Sequence, residues 1–277
     1  MNALAARRRH PAAIALLILV GLLVTGGAYA FLAPKEANAS AVSADTVAEG
    51  KNLFLANCAS CHGTNAQGTA SGPSLVGVGA AAVDFQVGTG RMPLAGPNIQ
   101  AQRQDVDKIK FDDQQISSMA AYVASLGAGP SVPDSQYTTV IQPGDQKEAG
   151  QDLTNNQRIA RGGEIFRVNC AMCHNFAGAG GALTRGKYAP SLTGVTPKHM
   201  YEAMVSGPQS MPVFNDQNIS PESKQEVISY LKAVDNQTNV GGLTLGNLGP
   251  VSEGMFVWLF GLTLLIGCAV WLGKKAA

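Results

Sequence analysis

The sequence predicts an all-α protein in which two tandem small domains stand between two apolar helices. Three observations predict it. The pentapeptide Cys58-Ala-Ser-Cys61-His62 recurs as Cys170-Ala-Met-Cys173-His174, with the same order of landmarks around each copy. Long apolar runs lie near both ends, over about Ala12–Ala33 and Met255–Gly273. The stretches flanking the pentapeptides carry apolar residues at helical spacing.

Two cysteines two residues apart, followed at once by histidine, form the attachment signature of a c-type haem. Each thiol adds to one vinyl group of the porphyrin, and the two vinyls lie about one short turn of backbone apart. The histidine is then held under the iron as its proximal axial ligand. A lone Cys-x-x-Cys fits a zinc half-site or a redox dithiol equally well. The adjoining histidine, and the second copy, select haem. The expected cofactors are therefore two covalently bound haem c groups, one on Cys58 and Cys61, the other on Cys170 and Cys173. His62 and His174 are the expected iron ligands. The predicted architecture is two tandem cytochrome c-type haem domains flanked by an N-terminal and a C-terminal transmembrane helix.

With 277 residues the chain has room for two or three small domains. Its formal net charge is +1 and only 14% of residues are charged, which gives no support for nucleic-acid binding. Four of the five cysteines sit in the two pentapeptides, and Cys268 stands alone in an apolar segment, so no disulfide framework remains. Aromatics are few, at 6%, as suits small domains that use a porphyrin as much of their core.

Taken in order, residues 1–33 hold Arg7-Arg8-Arg9, His10 and the first apolar run. That run is about 22 residues, or about 33 Å as a helix, enough to cross a hydrocarbon core. A cleaved signal peptide is the competing reading, with Ala28-Tyr29-Ala30 as its small-x-small site. An uncleaved anchor is favoured, because the apolar core is longer than a usual signal segment. A small, polar tether follows at 34–44. The first domain is expected over 45–127. Leu53-Phe54 leads into its pentapeptide with Gly50 one turn earlier, and a terminal helix is expected from Asp112 to Leu126 with Ile116, Met119, Tyr122, Val123 and Leu126 on one face. Residues 128–156, rich in Pro, Gly and Gln with no apolar period, read as an acidic linker.

The second domain, 157–236, repeats the first in outline. Ile165-Phe166 answers Leu53-Phe54, Ala189-Pro190-Ser191-Leu192 answers Gly72-Pro73-Ser74-Leu75, Met211-Pro212 answers Met92-Pro93, and Tyr230-Leu231 answers Tyr122-Val123. The loop from His174 to Pro190 is longer than that from His62 to Pro73. A repeated order with unequal loops indicates duplication of a domain and not a solenoid. A Gly-rich linker (237–253) leads to the second apolar run, 255–273, which ends at Lys274-Lys275. The basic residues at both ends belong inside by the positive-inside rule, which places everything between them outside the cytoplasm, where haem is attached to such motifs.

Each iron needs a sixth ligand. A methionine thioether raises the potential and fills the coordination sphere, which suits electron transfer. Met92 and Met211 are the candidates, because both precede proline in a Gly-containing loop of their own repeat. The proline denies a helix and stiffens the loop that would carry the sulfur. Met119, Met200 and Met204 read as packing residues, and Met172 lies inside its own haem motif. His199 reads as a surface or supporting histidine. Pro73 and Pro190 stand where a proline carbonyl accepts the remaining N–H of each imidazole. Tyr122 and Tyr230 are expected on the haem side of their terminal helices. Cys268 reads as a small apolar residue facing lipid or a neighbouring helix.

The chain resembles the dihaem cytochrome c subunits of actinobacterial menaquinol-oxidising cytochrome bc complexes, the cytochromes cc. The resemblance rests on both haem motifs, Gly88-Thr89-Gly90-Arg91-Met92-Pro93, Gly186-Lys187-Tyr188-Ala189-Pro190, Ser206-Gly207-Pro208-Gln209-Ser210-Met211-Pro212 and Leu248-Gly249-Pro250-Val251-Ser252-Glu253-Gly254. Most specific is the order of two haem domains between an N-terminal apolar segment and a C-terminal anchor. It implies an electron-transfer subunit of a quinol–cytochrome-c reductase (translocase) in the plasma membrane. Its partners would be a b-type cytochrome, a Rieske iron–sulfur subunit, a haem-copper oxidase and membrane lipid. A dihaem peroxidase-like enzyme, or a dihaem donor to another membrane reductase, is the alternative.

Overall fold

The computed structural model describes residues 11–32, 42–94, 96, 98–236 and 250–275. Arg7-Arg8-Arg9, His10, most of the 34–44 tether and most of the 237–253 linker, with Leu248 and Gly249, lie outside the described residues. The chain divides into two compact units, Met1–Ser43 and Ala44–Ala277.

The first unit holds α1 (Pro11–Leu32), apolar around its whole circumference. Its Thr25 hydroxyl donates back to Gly21 O at 2.7 Å, so this polar group is satisfied within the helix. Such a helix suits lipid on every side.

In the second unit the first domain comprises α2 (Ala44–Asn57), the one-turn α3 (Ala59–His62), α4 (Gly79–Gly88) and α5 (Asp113–Ser125). The second comprises α6 (Ser135–Thr138), α7 (Asn155–Asn169), the one-turn α8 (Ala171–His174), α9 (Pro197–Ser206) and α10 (Pro221–Asp235). At the C-terminal end, α11 (Pro250–Phe256) and α12 (Thr263–Lys275) are joined by a π-helical stretch, Val257–Leu262. The fold is all-α, as expected, with one small addition. Strands β1 (Gly181–Ala182) and β2 (Tyr188–Ala189) form an antiparallel hairpin inside the longer second loop.

Helix starts follow local chemistry. Asp112 accepts from Gln115 N while Gln115 reaches back to Asp112 N, a full capping box at the head of α5. Thr154 and Gln157 do the same for α7, which therefore starts inside the stretch read as linker. Thr196 and Ser220 cap α9 and α10, each with proline at the first helical position.

Each domain is built on one crossing of its last helix with its first long helix, the one that runs into the pentapeptide. In the first, α2 meets α5 where Gly50 faces the Ser118 carbonyl. A methyl group at Gly50 would overlap that oxygen. In the second, Gly162 of α7 faces the Glu226 carbonyl of α10 in the same way. One turn on, the phenylalanine of each first helix packs on the tyrosine of each last helix. The ring centroids are 5.3 Å apart for Phe54–Tyr122 and 5.8 Å for Phe166–Tyr230. The glycine thus permits backbone contact, and the aromatic pair fills the space that opens beyond it.

Residues 128–156 lack an apolar period, yet they are not a free tether. Pro130 O accepts from Ala81 N at 3.1 Å, which pins the start of the segment to α4. Farther on, Gln225 of α10 donates to Gln136 O and Thr139 O, and Ser229 accepts from the N–H of buried Ile141 at 2.9 Å. Asn155 donates to Gln142 O. Buried Arg158, 1% exposed, joins Glu148 of this strap at 2.6 Å to Gln225 and Glu226 of α10. The segment is held by side chains bonding its backbone, a pattern without hydrophobic periodicity.

Gly162→Ala is expected to lower the unfolding free energy by about 1–3 kcal/mol in urea titrations, because a backbone carbonyl cannot yield as a side chain does. An exposed helical glycine would instead gain about 1 kcal/mol from alanine. Gly96→Ala, where a methyl meets nothing within 4 Å, serves as control and should change stability by less than about 0.5 kcal/mol.

Candidate haem sites

Each pentapeptide forms one turn that continues from the first helix of its domain. Cys58 N bonds Phe54 O at 2.8 Å, and Cys58 O accepts from Cys61 N at 3.1 Å and His62 N at 2.9 Å. In the second copy Cys170 N bonds Phe166 O at 2.8 Å, and Cys170 O accepts from Cys173 N at 3.1 Å and His174 N at 2.9 Å. The turn gathers two sulfurs and one imidazole in the same way at both places.

The imidazoles are oriented from behind. His62 Nδ1 lies 2.7 Å from Pro73 O, and His174 Nδ1 lies 3.0 Å from Pro190 O. A carbonyl only accepts, so Nδ1 carries the proton and Nε2 keeps its lone pair for a metal. Burial lowers the pKa of His174, opposed by its bond to Pro190, and so favours the neutral ring a metal needs. The loops between each histidine and proline start and end alike. Gly68 N bonds His62 O and Leu75 N bonds Ala66 O; Gly180 N bonds His174 O and Leu192 N bonds Gly178 O. The extra length of the second loop is taken up by the hairpin β1–β2.

None of the pentapeptide cysteines is joined in a disulfide, nor is Cys268. Burial raises the pKa of Cys58, and it pushes Cys170 to about 11 with help from Cys173. Met92 packs in the first core beside Cys58, Phe54, Val83 and Val87. Its N–H bonds Gln86 O at 2.9 Å. Met211 packs in the second core beside Cys170 and Phe166, with its N–H on Pro208 O at 3.0 Å.

In the second domain these residues surround one cavity of about 230 Å³, into which Cys170, Cys173, His174 and Met211 all face. Met200 and Met204 are buried and line it as well. Of the last helix, Val227, Ile228 and Leu231 line the cavity. Tyr230 turns instead to Phe166, with its hydroxyl 3.4 Å from Phe176 O. The expectation that Tyr230 packs on the haem side is therefore corrected: the ring completes the helix crossing. Tyr122 packs on Phe54 in the same manner. Met119 is buried in the first core, and Met172 is 91% exposed.

Sequence reasoning missed that the first domain contributes to this second cavity. Phe85, Thr89, Arg91, Gln100 and Arg103 line it, as does His199 of α9. The loop around residue 100 is clamped on the hairpin. Gln100 donates to Tyr188 O at 2.7 Å and accepts from Tyr188 N at 2.9 Å, and Gln209 donates to Ala101 O at 3.0 Å. Helix α4 packs on α9, where Asp84 pairs with Lys198 at 2.7 Å and His199 Nε2 stands 3.7 Å from Asp84. His199 thus supports the contact between the domains. One signal was visible beforehand: Arg91 precedes Met92, whereas Ser210 precedes Met211.

Glu202 of α9 lies under this contact, fully buried, with neither carboxylate oxygen hydrogen-bonded. Burial, reinforced by the charge of Asp84, pushes its pKa up to about 9. Burial acts on Asp84 in the same direction, but hydrogen bonds from His199 and Lys198 outweigh it and hold Asp84 below the usual range.

The residues fit a covalently attached haem. Each site pairs two thiols with an imidazole whose Nε2 is available, in apolar surroundings, and the second adds a buried guanidinium without a partner on Nη1.

Residues 47–127 match the family model for cytochrome c, and residues 157–231 match that for cytochrome c oxidase, cbb3-type, subunit III. The chain is 44% identical to the cytochrome bc1 complex cytochrome c subunit of Mycobacterium tuberculosis, over 94% of this chain and 90% of that protein. It is 44% identical to that of Mycobacterium leprae, over 94% and 87%. To that of Corynebacterium diphtheriae it is 40% identical, over 97% and 95%.

The raised pKa of Glu202 makes the folded state bind a proton that the unfolded state releases above about pH 4.5. Stability therefore falls as pH rises from there to about 9. Glu202→Gln, which mimics the protonated acid, should flatten this slope. At pH 9 it should raise the unfolding free energy by about 1–3 kcal/mol in denaturant titrations.

Proposed function

The chain belongs to the family of cytochrome c subunits of the cytochrome bc1 complex, and from that premise we propose that it carries electrons within a menaquinol-oxidising bc complex, from the Rieske centre to a haem-copper terminal oxidase. It is a respiratory cytochrome c electron carrier, a member of an oxidoreductase complex with covalently bound haem c. It is a membrane protein with two helices long and apolar enough to span a bilayer, Ala12–Tyr29 and Glu253–Lys275. We read it further as a plasma-membrane protein that crosses twice, with both haem domains outside the cytoplasm. Its class would be the electron-transfer subunit of a quinol–cytochrome-c reductase (translocase).

In this reading Cys58 and Cys61 hold one haem and Cys170 and Cys173 a second. His62 and Met92 would hold the first iron, His174 and Met211 the second. A b-type cytochrome and a Rieske iron–sulfur protein are the partners within the complex. The observation that carries the reading is the paired construction: each Cys-x-x-Cys-His turn has its imidazole held by a proline carbonyl, and a Met-Pro loop packs into the same core.

A haem c with two protein ligands supplies one-electron redox change and leaves no coordination position for substrate. The rest is done by the chain. Pro73 and Pro190 fix the ring orientations and the proton on Nδ1. The aromatic and aliphatic walls exclude water, which limits the rearrangement that accompanies a change of charge. The Met-Pro loops keep small molecules from the irons. The alternative of a peroxidase needs a vacant iron position, and His199, the histidine nearest such a role, is engaged at 3.7 Å from Asp84.

Haem analysis of the purified chain should give two haem c per polypeptide, with the methionine–iron charge-transfer band in the oxidised state. Met92→Ala and Met211→Ala should each remove about half of that band. One haem per chain, or a high-spin ferric spectrum in the unsubstituted protein, would overturn the carrier reading. Extraction in mild detergent should bring a b-type cytochrome and a Rieske protein with the chain, and their absence would remove the partner assignment.

A further inference from the structure

We propose that the first domain completes the second haem site: Arg91, backed by Arg103, binds the carboxylates of the haem carried by the second domain. The proposal rests on the reading above, in which Cys170, Cys173, His174 and Met211 hold that haem.

Arg91 is a charge in an unusual place. It is 8% exposed, its guanidinium carbon lies 4.7 Å from the centroid of the Phe85 ring, and among the described residues its Nη1 has no hydrogen-bond partner. Among the described residues no carboxylate stands within 4.0 Å of it or of Arg103. Burying an unpaired guanidinium is costly, and such groups in folded proteins are paired. A second cation, Arg103, lines the same cavity. Arg103 donates to Thr193 O, at 3.4 Å and 3.5 Å. Two converging arginines therefore call for an anion.

Both arginines line the cavity that also holds Cys170, Cys173, His174 and Met211. The neutral donors nearby are engaged already, Gln100 with Tyr188 and Gln209 with Ala101. A haem carries two carboxylates at one edge of its ring, and guanidinium binds carboxylate with two parallel hydrogen bonds. The ligand class is thus a planar porphyrin dicarboxylate whose acidic edge faces the first domain. At the corresponding position before Met211 the second domain carries Ser210, which accepts from Lys187 at 3.2 Å. The arrangement also places a ligand of the first iron, Met92, one peptide bond from the clamp on the second haem.

A buried cation beside a haem edge disfavours the oxidised, more positive iron. Potentiometric titration of the intact dihaem protein, with each haem assigned through the Met92→Ala and Met211→Ala spectra, tests this. Arg91→Gln should weaken reduction of the Met211-ligated haem by about tenfold, a fall of about 59 mV for one electron, and leave the other haem unchanged. Arg91→Lys, which keeps the charge, should restore most of that potential. Loss of the second haem alone in Arg91→Gln, but not in Arg91→Lys, supports the clamp as well. Unchanged potentials in Arg91→Gln with both haems present, or a shift confined to the Met92-ligated haem, overturn it. So does loss of helical circular dichroism in both variants, which would assign Arg91 to its stack on Phe85. The carrier reading fails separately, if the unsubstituted chain lacks two His/Met haems.

Discussion

The structure of each haem domain depends on a contact in which a backbone carbonyl occupies the place of a side chain. Gly50 against Ser118 O, and Gly162 against Glu226 O, let the first and last helices of each domain cross with their backbones touching. That approach brings Phe54 onto Tyr122 and Phe166 onto Tyr230. It also fixes the direction in which the first helix ends, and the haem motif is the next turn of chain. Sulfurs and imidazole are thus aimed by a contact about two turns away. The same device at both places, with different neighbours, is what duplication of one domain leaves behind.

The two domains are not beads on a string. Helix α4 lies on α9, the loop around Gln100 extends the hairpin β1–β2, and the strap 128–156 runs from α4 to α10 through side-chain-to-backbone bonds. Polar groups dominate this contact, and several are buried: Asp84, Arg91, Glu202 and, beneath the strap, Arg158. Buried polar groups add little to stability unless paired, but they fix one arrangement over its neighbours. An electron carrier benefits from that, because the path of an electron through it is set by how the domains sit.

Much of this was legible in the chain. The pentapeptides, the Met-Pro pairs and the prolines behind the histidines are short signals whose chemistry is local, and the structure brings each set into one core. The caps at Asp112 and Thr154 are local as well, and they place the helix starts to within a residue or two. Gly162 could be read too, standing four residues before Phe166 as Gly50 does before Phe54. The attachment of the segment 128–156 was not legible, because it uses Gln225, Ser229 and Asn155, whose bonding leaves no period. Tyr230 turns to Phe166 while its neighbour Leu231 lines the cavity. Adjacent helix positions point about 100° apart, so one residue decides the side.

What the sequence determined by itself is the chemistry: which cysteines and histidines can hold haem, and which segments are apolar enough for a bilayer. These follow from residue types at fixed short spacings, and no folding is needed to read them. What only the tertiary structure decided is who lines whose pocket. Arg91 and Arg103 belong to the first domain by sequence and to the second cavity by position, through contacts spanning about 90 residues of chain, as in the Gln100–Tyr188 and Arg103–Thr193 pairs. Pairings at that separation depend on the packing of whole helices, which no local pattern encodes.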